Sequence, residues 1–87
     1  MDKQEKVIDL VASMLKRRRE LKALYGDEAY KDTVSSAIDI VKEHMLTKKE
    51  TNPMSAALYL AKAIKGNSML KSFIMCAGLE ISEGNDK

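Results

Sequence analysis

The stretch that decides the fold is residues 52–66, which read NPMSAALYLAKAIKG. Asn52 has the side chain of a strong helix N-cap, and Pro53 fits the first helical position, where its missing N–H is not needed. Gly66 closes the stretch, and glycine ends many helices because it readily adopts the left-handed conformation. The N-cap, the proline and the final glycine therefore predict a helix over Pro53–Lys65 that stops at Gly66.

The chain continues through residues 67–78 as NSMLKSFIMCAG, a second apolar stretch that also ends in glycine. The same reasoning predicts a helix from Ser68 to Ala77, with Gly78 as its stop. Lysine and serine are the only strongly polar residues in either helix, and they cluster on a narrow face. A helix that is apolar on most sides is normally buried. The two stretches therefore predict an apolar helical hairpin at the centre of the molecule.

Two amphipathic helices are predicted ahead of this hairpin. The first covers residues 3–24 and ends at Gly26, and the second covers residues 28–47, with Asp27 as its cap. Apolar side chains recur at helical spacing in both, at Val7, Val11, Met14, Leu21 and Tyr25 in the first and at Tyr30, Val34, Ile38, Val41 and Met45 in the second. Helical periodicity thus extends over most of the chain.

We therefore predict an all-α fold, a compact bundle of four helices in which the last two form the apolar helical hairpin. A chain of 87 residues suits one domain. We assign residues 1–81 to this single helical domain and residues 82–87 to a flexible C-terminal tail.

The apolar hairpin also predicts contact with another protein chain. A bundle of this size has a thin core and can hide one apolar helix behind three others, but hiding two leaves little surface. We therefore expect part of the hairpin to face a partner, most simply a second copy in a homo-oligomer. The residues predicted to form this hydrophobic interface are Met69, Phe73 and Met75.

Charge and cysteine content indicate the setting in which the protein works. The formal net charge of +2 is too small to imply a polyanionic partner. A single cysteine, Cys76, excludes an intramolecular disulfide and suits a reducing compartment. Asp9 interrupts the only apolar stretch near the N-terminus, and no uncharged run is long enough to cross a bilayer. These features predict a cytoplasmic protein with no membrane partner.

The basic run that includes Arg17, Arg18 and Arg19, with Lys22 one turn later, is the candidate partner- or anion-binding site. At about 100° per residue, Arg18 falls in the middle of the apolar stripe of its helix. A charged guanidinium there must meet a carboxylate, reach solvent along its stem, or hold an anion. The alternatives remain a binding cluster and a solvated helix face, with Asp39 and Glu43 as plausible partners of the arginines.

Nucleic-acid binding is the alternative function that the basic run suggests. The segment around Gly66 resembles a helix-turn-helix in outline, but its second helix offers only Ser68, Lys71 and Ser72 to a DNA groove. Base readout requires Arg, Asn, Gln or Lys on an exposed face. Nucleic acid is therefore a less favoured partner than protein, and a small anionic ligand near the arginines is a second alternative.

Nothing in the chain has the pattern of catalytic, metal or cofactor chemistry. The only histidine is His44, and with Cys76 it cannot supply the four ligands of a structural zinc site. A Cys–His catalytic pair would need a local signature that is missing here. The four glycines are isolated, so no phosphate-binding loop is present. We therefore expect no enzyme activity, catalytic residue, metal or cofactor, and a non-enzymatic interaction protein such as an adaptor, subunit or inhibitor.

Overall fold

Four helices make up the fold. The computed structural model of the chain describes residues 3–84, with side chains from residue 9 onward. The helices are α1 (Lys3–Tyr25), α2 (Asp27–Lys48), α3 (Pro53–Ala63) and α4 (Ser68–Ser82). No strand occurs within residues 3–84. The predicted all-α bundle of four helices is confirmed, and α3 and α4 pack closely as the predicted hairpin.

The start of α3 is confirmed as predicted. The side-chain oxygen of Asn52 accepts hydrogen bonds from the backbone N–H groups of Met54 and Ser55, at 3.0 and 3.2 Å. Asn67 caps α4 in the same way by accepting from the N–H of Leu70 at 3.0 Å. Each cap satisfies donors that the first helical turn leaves unpaired. The two asparagines therefore fix where both helices of the hairpin begin.

The predicted ends of α2 and α3 need small corrections. Asp27 is the first residue of α2 and does not cap it, because Gly26 occupies the N-cap position with a φ of 89°. The third helix ends at Ala63, two residues before the predicted end, because Ile64 turns to an extended backbone. In that conformation the side chain of Ile64 packs against the core. Burial of one apolar residue therefore overrides the helical pattern that continues to Lys65.

Gly78 does not stop α4, and this is the largest correction to the predicted helices. The helix continues to Ser82, and Gly78 lies inside it and is buried. A Cβ at Gly78 would lie 2.5 Å from the Cβ of Ala57 and 3.0 Å from the carbonyl oxygen of Pro53. Glycine is needed there because α3 and α4 approach each other closely, not because the helix ends.

The predicted flexible tail also begins too early. Ser82 is the last residue of α4, and Glu83 forms an ion pair with Arg18 of α1. The folded unit therefore includes residues 82–84, while residues 85–87 of the predicted tail lie outside the described residues.

α4 is the central helix of the bundle. It packs against α1, α2 and α3, whereas α1 and α3 do not contact each other within the described residues. Eight consecutive residues of α4, Phe73–Glu80, are buried. α3 buries one face, at Ala56, Ala57 and Ala61, and exposes Tyr59 on the other. A single chain therefore hides residues 73–80 of the most apolar helix, whereas Met69 and Leu70 in its first turn stay exposed.

Candidate functional site

The predicted basic site is divided by the structure, because two of its arginines turn inward to α4. Arg18 donates from Nη1 to Glu83 Oε1 at 2.6 Å and from Nη2 to Glu83 Oε2 at 3.4 Å, and its Nη1 lies 3.5 Å from Glu80 Oε2. Arg17 donates from Nη1 to the hydroxyl of Ser72 at 2.8 Å. The carboxylates that meet Arg18 are thus Glu80 on α4 and Glu83 at its C-cap, and not Asp39 or Glu43.

The other two basic residues remain on the surface. Arg19 is exposed, and Lys22 places its ammonium group 5.3 Å from the centre of the Tyr30 ring. A cation over an aromatic face is a stabilising contact within the chain. The hydrogen bond with Glu83 raises the pKa of Arg18, so this guanidinium remains charged and paired. Arg17, Arg18, Arg19 and Lys22 therefore do not converge on one anion.

A buried polar network joins α1, α2 and α4 at this position. The hydroxyl of Tyr30 donates to Glu80 Oε2 at 2.6 Å, and Arg18 contacts the same carboxylate oxygen. Burial, followed by the hydrogen bond to Glu80, raises the pKa of Tyr30 above its ordinary value of 10.0. The contacts cross three helices and involve a carboxylate that is only 8% exposed. The network therefore links the three helices and contributes to fixing their register.

A shallow groove of about 810 Å³ lies beside the buried network. Its charged lining is mixed, with Lys22 and Lys31 among the carboxylates of Asp27, Asp39 and Glu80. A ligand of either charge would meet groups of both signs there. This groove therefore selects no class of ligand by charge.

Cys76 and His44, the two residues considered for a catalytic pair, contact different parts of the protein. Cys76 is fully buried in the core, where burial raises the pKa of its thiol to about 11. A thiol with that pKa is protonated at neutral pH and is a poor nucleophile. His44 stacks on Tyr59 of α3 with ring centres 5.3 Å apart. These contacts give Cys76 and His44 packing roles.

The predicted hydrophobic interface is also divided. Phe73 and Met75 are 4% and 7% exposed and belong to the core, because they lie on the half of α4 that the other three helices enclose. Met69 lies on the first turn of α4 and remains 48% exposed. Of the three predicted residues, only Met69 presents substantial surface to a partner.

Met69 forms the wall of an apolar groove of about 330 Å³ at the end of the bundle where α1 ends and α2 and α4 begin. We refer to this site as the apolar groove. It is lined by Tyr25, Ala29, Thr33, Asn67, Met69, Leu70 and Phe73.

The walls of the apolar groove are held by contacts within the chain. The Tyr25 ring packs against Phe73 with centroids 6.2 Å apart, and its hydroxyl lies 2.7 Å from the sulfur of Met69. Tyr30 contacts the same Phe73 ring from α2 at 6.0 Å. Phe73 thereby links the apolar groove to the core. The groove exists before any partner binds, which reduces the ordering that binding requires.

Large apolar side chains gather around the apolar groove. Tyr25, Met69 and Leu70 are each at least 40% exposed, and Leu24, which directly precedes Tyr25, is 71% exposed. The helical stripe of α1 gave no reason to select Leu24 or Tyr25 as surface residues. One signal was available: they are the last two residues before Gly26, and side chains at a helix end lose the neighbours that would cover them.

Two further large apolar side chains are exposed toward the opposite end of α2. Leu46 is 82% exposed, and Tyr59 is 65% exposed beside His44. Neither of the two grooves described above is lined by these residues. Isolated surface apolar residues are common in folded proteins, so this pair is weaker evidence for a binding site than the apolar groove.

Comparison with known proteins places no constraint on the function, since the chain matches no family model, curated protein or solved structure. Within residues 3–84, no helix combines the length and apolar character that crossing a bilayer requires. Among the described side chains, no group of three or more His, Cys, Asp or Glu residues lies close enough together to hold a metal ion.

Proposed function

We propose that this is a non-enzymatic interaction protein that binds a partner protein through the helical surfaces around the apolar groove. The observation that carries the proposal is the concentration of exposed Tyr25, Met69 and Leu70 in the lining of one apolar groove, with exposed Leu24 next to Tyr25 in the sequence. Exposed apolar residues that cluster beside a concave site are characteristic of protein-binding surfaces. The rest of the bundle serves to hold this surface in place.

The occupant proposed for the apolar groove is an amphipathic helix that inserts apolar side chains. A cavity of roughly 150 Å³ holds a benzene ring, so the 330 Å³ of the apolar groove suits two side chains of that size. Met69 has a flexible, polarisable side chain that adapts to different shapes. Phe73 supplies a rigid floor because it is buried.

The alternatives have less support from the arrangement of side chains. Nucleic-acid binding by α1 would need its arginines free for phosphates, but Arg17 and Arg18 are engaged with α4. A small anion would meet only Arg19 and Lys22 as exposed groups of the predicted cluster. An enzyme would need an activated nucleophile, and the Cys76 thiol is buried and protonated. The proposal includes a reducing, cytoplasmic setting, because Cys76 is a free thiol.

Site-specific photo-crosslinking in the source cell tests the proposal. Leu24 is replaced in one variant by the photoreactive amino acid p-benzoylphenylalanine, and Leu46 is replaced in the control variant. Both leucines are exposed on helices, at opposite ends of the molecule. We expect discrete adducts from position 24, and we expect them to disappear when Met69→Glu is added to the same variant.

Two results would contradict the proposal. Equal adduct patterns from positions 24 and 46 would show that exposure alone produces the crosslinks. Adducts from position 24 that persist in the Met69→Glu background would show that the apolar groove does not hold the partner. The Met69→Glu variant is expected to fold, because Met69 is largely exposed and circular dichroism can verify its helix content.

A further inference from the structure

Met69 is the most exposed of the methionines whose side chains the structure describes. Met14 and Met75 are buried, and Met45 and Met54 pack partly buried against the core. Met69, by contrast, is 48% exposed. A dissolved oxidant reacts with a thioether according to its exposure, and a buried thioether reacts only when the protein opens locally. Met69 is therefore the described methionine that an oxidant reaches first.

The sulfur of Met69 is covered on one side by a hydroxyl group. Tyr25 donates a hydrogen bond from its hydroxyl to Sδ of Met69 at 2.7 Å, and the Tyr25 ring packs against Phe73 with centroids 6.2 Å apart. A thioether sulfur has two lone pairs, on opposite sides of the plane of its two carbon bonds, and one hydrogen bond uses one of them. The contact with Tyr25 therefore leaves one face of the sulfur open.

We propose that Met69 is a redox modification site, at which a peroxide oxidises the sulfur through its open face to one preferred sulfoxide epimer. In this reaction a lone pair of Sδ attacks one oxygen of hydrogen peroxide, and the O–O bond breaks. The other oxygen leaves as hydroxide and takes the proton of the transferred oxygen, which forms water. The sulfur is oxidised by two electrons, and the peroxide is reduced by the same two.

Oxidation of Met69 makes the wall of the apolar groove polar. Met69 lines the groove together with Leu70 and Phe73. A sulfoxide is polar and chiral, and methionine sulfoxide reductases reverse its formation. An apolar side chain that enters the groove must then remove water from the sulfoxide oxygen, which costs free energy. This effect on binding rests on the proposed function, whereas the chemistry at Met69 does not depend on it.

Peptide mapping by mass spectrometry measures the selectivity of the reaction. The purified chain is treated with hydrogen peroxide, and the rate of sulfoxide formation is followed at Met14, Met45, Met54, Met69 and Met75. Met69 should react at least about fivefold faster than each of the others in the folded protein. In urea, where the fold no longer protects any of them, the five rates should agree within about twofold. Reaction of Met45 or Met54 as fast as Met69 in the folded chain would overturn the proposed site.

The ratio of the two sulfoxide epimers tests the role of the Tyr25 hydroxyl. After proteolysis, each epimer at Met69 is measured by its reduction with the reductase specific for it. The wild type should give unequal amounts, and Tyr25→Phe, which keeps the ring and removes the donor, should give nearly equal amounts. Tyr59→Phe removes the hydroxyl of another exposed tyrosine and should keep the wild-type ratio. Equal epimers in the wild type, or an unchanged ratio in Tyr25→Phe, would overturn attack through one open face.

Crosslinking from position 24 measures the effect on binding. The variant with p-benzoylphenylalanine at position 24 is oxidised selectively at Met69, purified and added to an extract of the source cell beside its untreated form. Oxidation should lower the adduct yield by about tenfold, the factor expected from burying a polar group without a partner. Met69→Leu is the matched control, because leucine keeps the apolar volume and forms no sulfoxide. The same peroxide treatment should leave its adducts unchanged.

The failures of this inference and of the proposed function are distinguishable. Adducts that persist after selective oxidation of Met69 would overturn the effect on binding and leave the proposed function intact. No adducts from either form would contradict the proposed function, and with it the effect on binding, while the oxidation rates decide the modification site independently. A large fall in the urea midpoint of the oxidised chain would show that oxidation unfolds the protein, which would also overturn a local change at the groove.

Discussion

The two ends of α4 have similar apolar composition and opposite surroundings. Residues Phe73–Glu80 are buried without interruption, whereas Ser68, Met69 and Leu70 at the other end are exposed. Three helices enclose the first segment, while the second lies where α1 ends and α2 begins. The comparison shows that an apolar sequence forms core where other helices surround it and exposed surface where those helices end.

The two ends also differ in their polar contacts. The Tyr30–Glu80–Arg18 network ties the enclosed end of α4 to α1 and α2 through a buried hydrogen bond from Tyr30 to Glu80 and an ion pair between Arg18 and Glu80. At the open end, the contact between the hydroxyl of Tyr25 and the sulfur of Met69 is exposed. Substitutions at the enclosed end should therefore change stability, and substitutions at the open end should change association.

The largest effect on stability is expected for Gly78→Ala at the enclosed end. The added methyl group would clash with Ala57 and the carbonyl of Pro53, so α3 and α4 must move apart. Overpacking of this kind costs about 1–3 kcal/mol, and more where backbone atoms resist. Urea denaturation should therefore show a midpoint well below that of the wild type.

A double-mutant cycle provides the control for Gly78→Ala. Ala57→Gly removes the closest clashing atom, so the combined variant should lose less stability than the sum of the two single variants. Simple additivity of the two losses would show that Gly78 does not act through contact with α3.

Alkaline pH should produce the next largest loss of stability. The pKa of Cys76 is raised by burial from 9.0 to about 11, so the folded state disfavours the thiolate. The contribution of this group to the free energy of unfolding is fully present below about pH 9. It is lost as the pH rises toward 11, by at most about 2–3 kcal/mol. Tyr30 acts in the same direction above pH 10, since its pKa is raised too.

Cys76→Ala separates these two contributions, because alanine does not titrate. Its stability should fall less steeply between pH 9 and 11 than that of the wild type, whatever its stability at pH 7. Thermal denaturation across this pH range measures the slope. Parallel curves for the two proteins would contradict a buried, protonated thiol.

A smaller effect is expected from removing the Tyr30 hydroxyl. Tyr30→Phe keeps the ring beneath Lys22 and removes one donor from the buried Glu80 carboxylate, at a cost of about 1–2 kcal/mol. Tyr25→Phe makes the same chemical change at the open end, where we expect less than about 0.5 kcal/mol. Equal losses in chemical denaturation would remove the distinction between the two ends.

The smallest effect on stability is expected for Leu24→Glu, which changes an exposed residue by less than about 0.5 kcal/mol. Leu46→Glu should behave the same way in urea denaturation of dilute protein. A large loss of monomer stability in Leu24→Glu would mean that Leu24 packs within its own chain, which would remove it from the proposed contact.

Periodicity and caps were sufficient to predict the four helices. Asn52 and Pro53 marked the start of α3 correctly, because capping depends on neighbours within a single turn. Gly78 was interpreted wrongly because its glycine is required by Ala57, a residue 21 positions earlier whose proximity no local pattern reveals. Long-range approach of two helices is a property of the packed chain.

The candidate site was harder to predict for the same reason. Arg18 was correctly identified as a charge that needs a partner, but Glu80 and Glu83 lie more than 60 residues away along the chain. Phe73 and Met69 are both apolar and lie four residues apart, on the same face of one helix. Only the packing of α1 and α2 makes Phe73 a core residue and leaves Met69 on the surface. The apolar groove forms where the end of α1 meets the starts of α2 and α4. Sequence periodicity predicts each helix separately and does not show that these ends come together.

The methionine methyl groups offer the most direct test of the central claim, that the open end of α4 is the working surface. Spectra of protein labelled with ¹³C at these methyl groups would be recorded with and without an extract of the source cell. Met69 lies in the apolar groove, Met14 is fully buried, and Met45 and Met54 pack at the edge of the core. We predict that the extract shifts or broadens the Met69 resonance while those of Met14, Met45 and Met54 stay constant. A constant Met69 resonance, or changes confined to Met45 and Met54, would contradict the account.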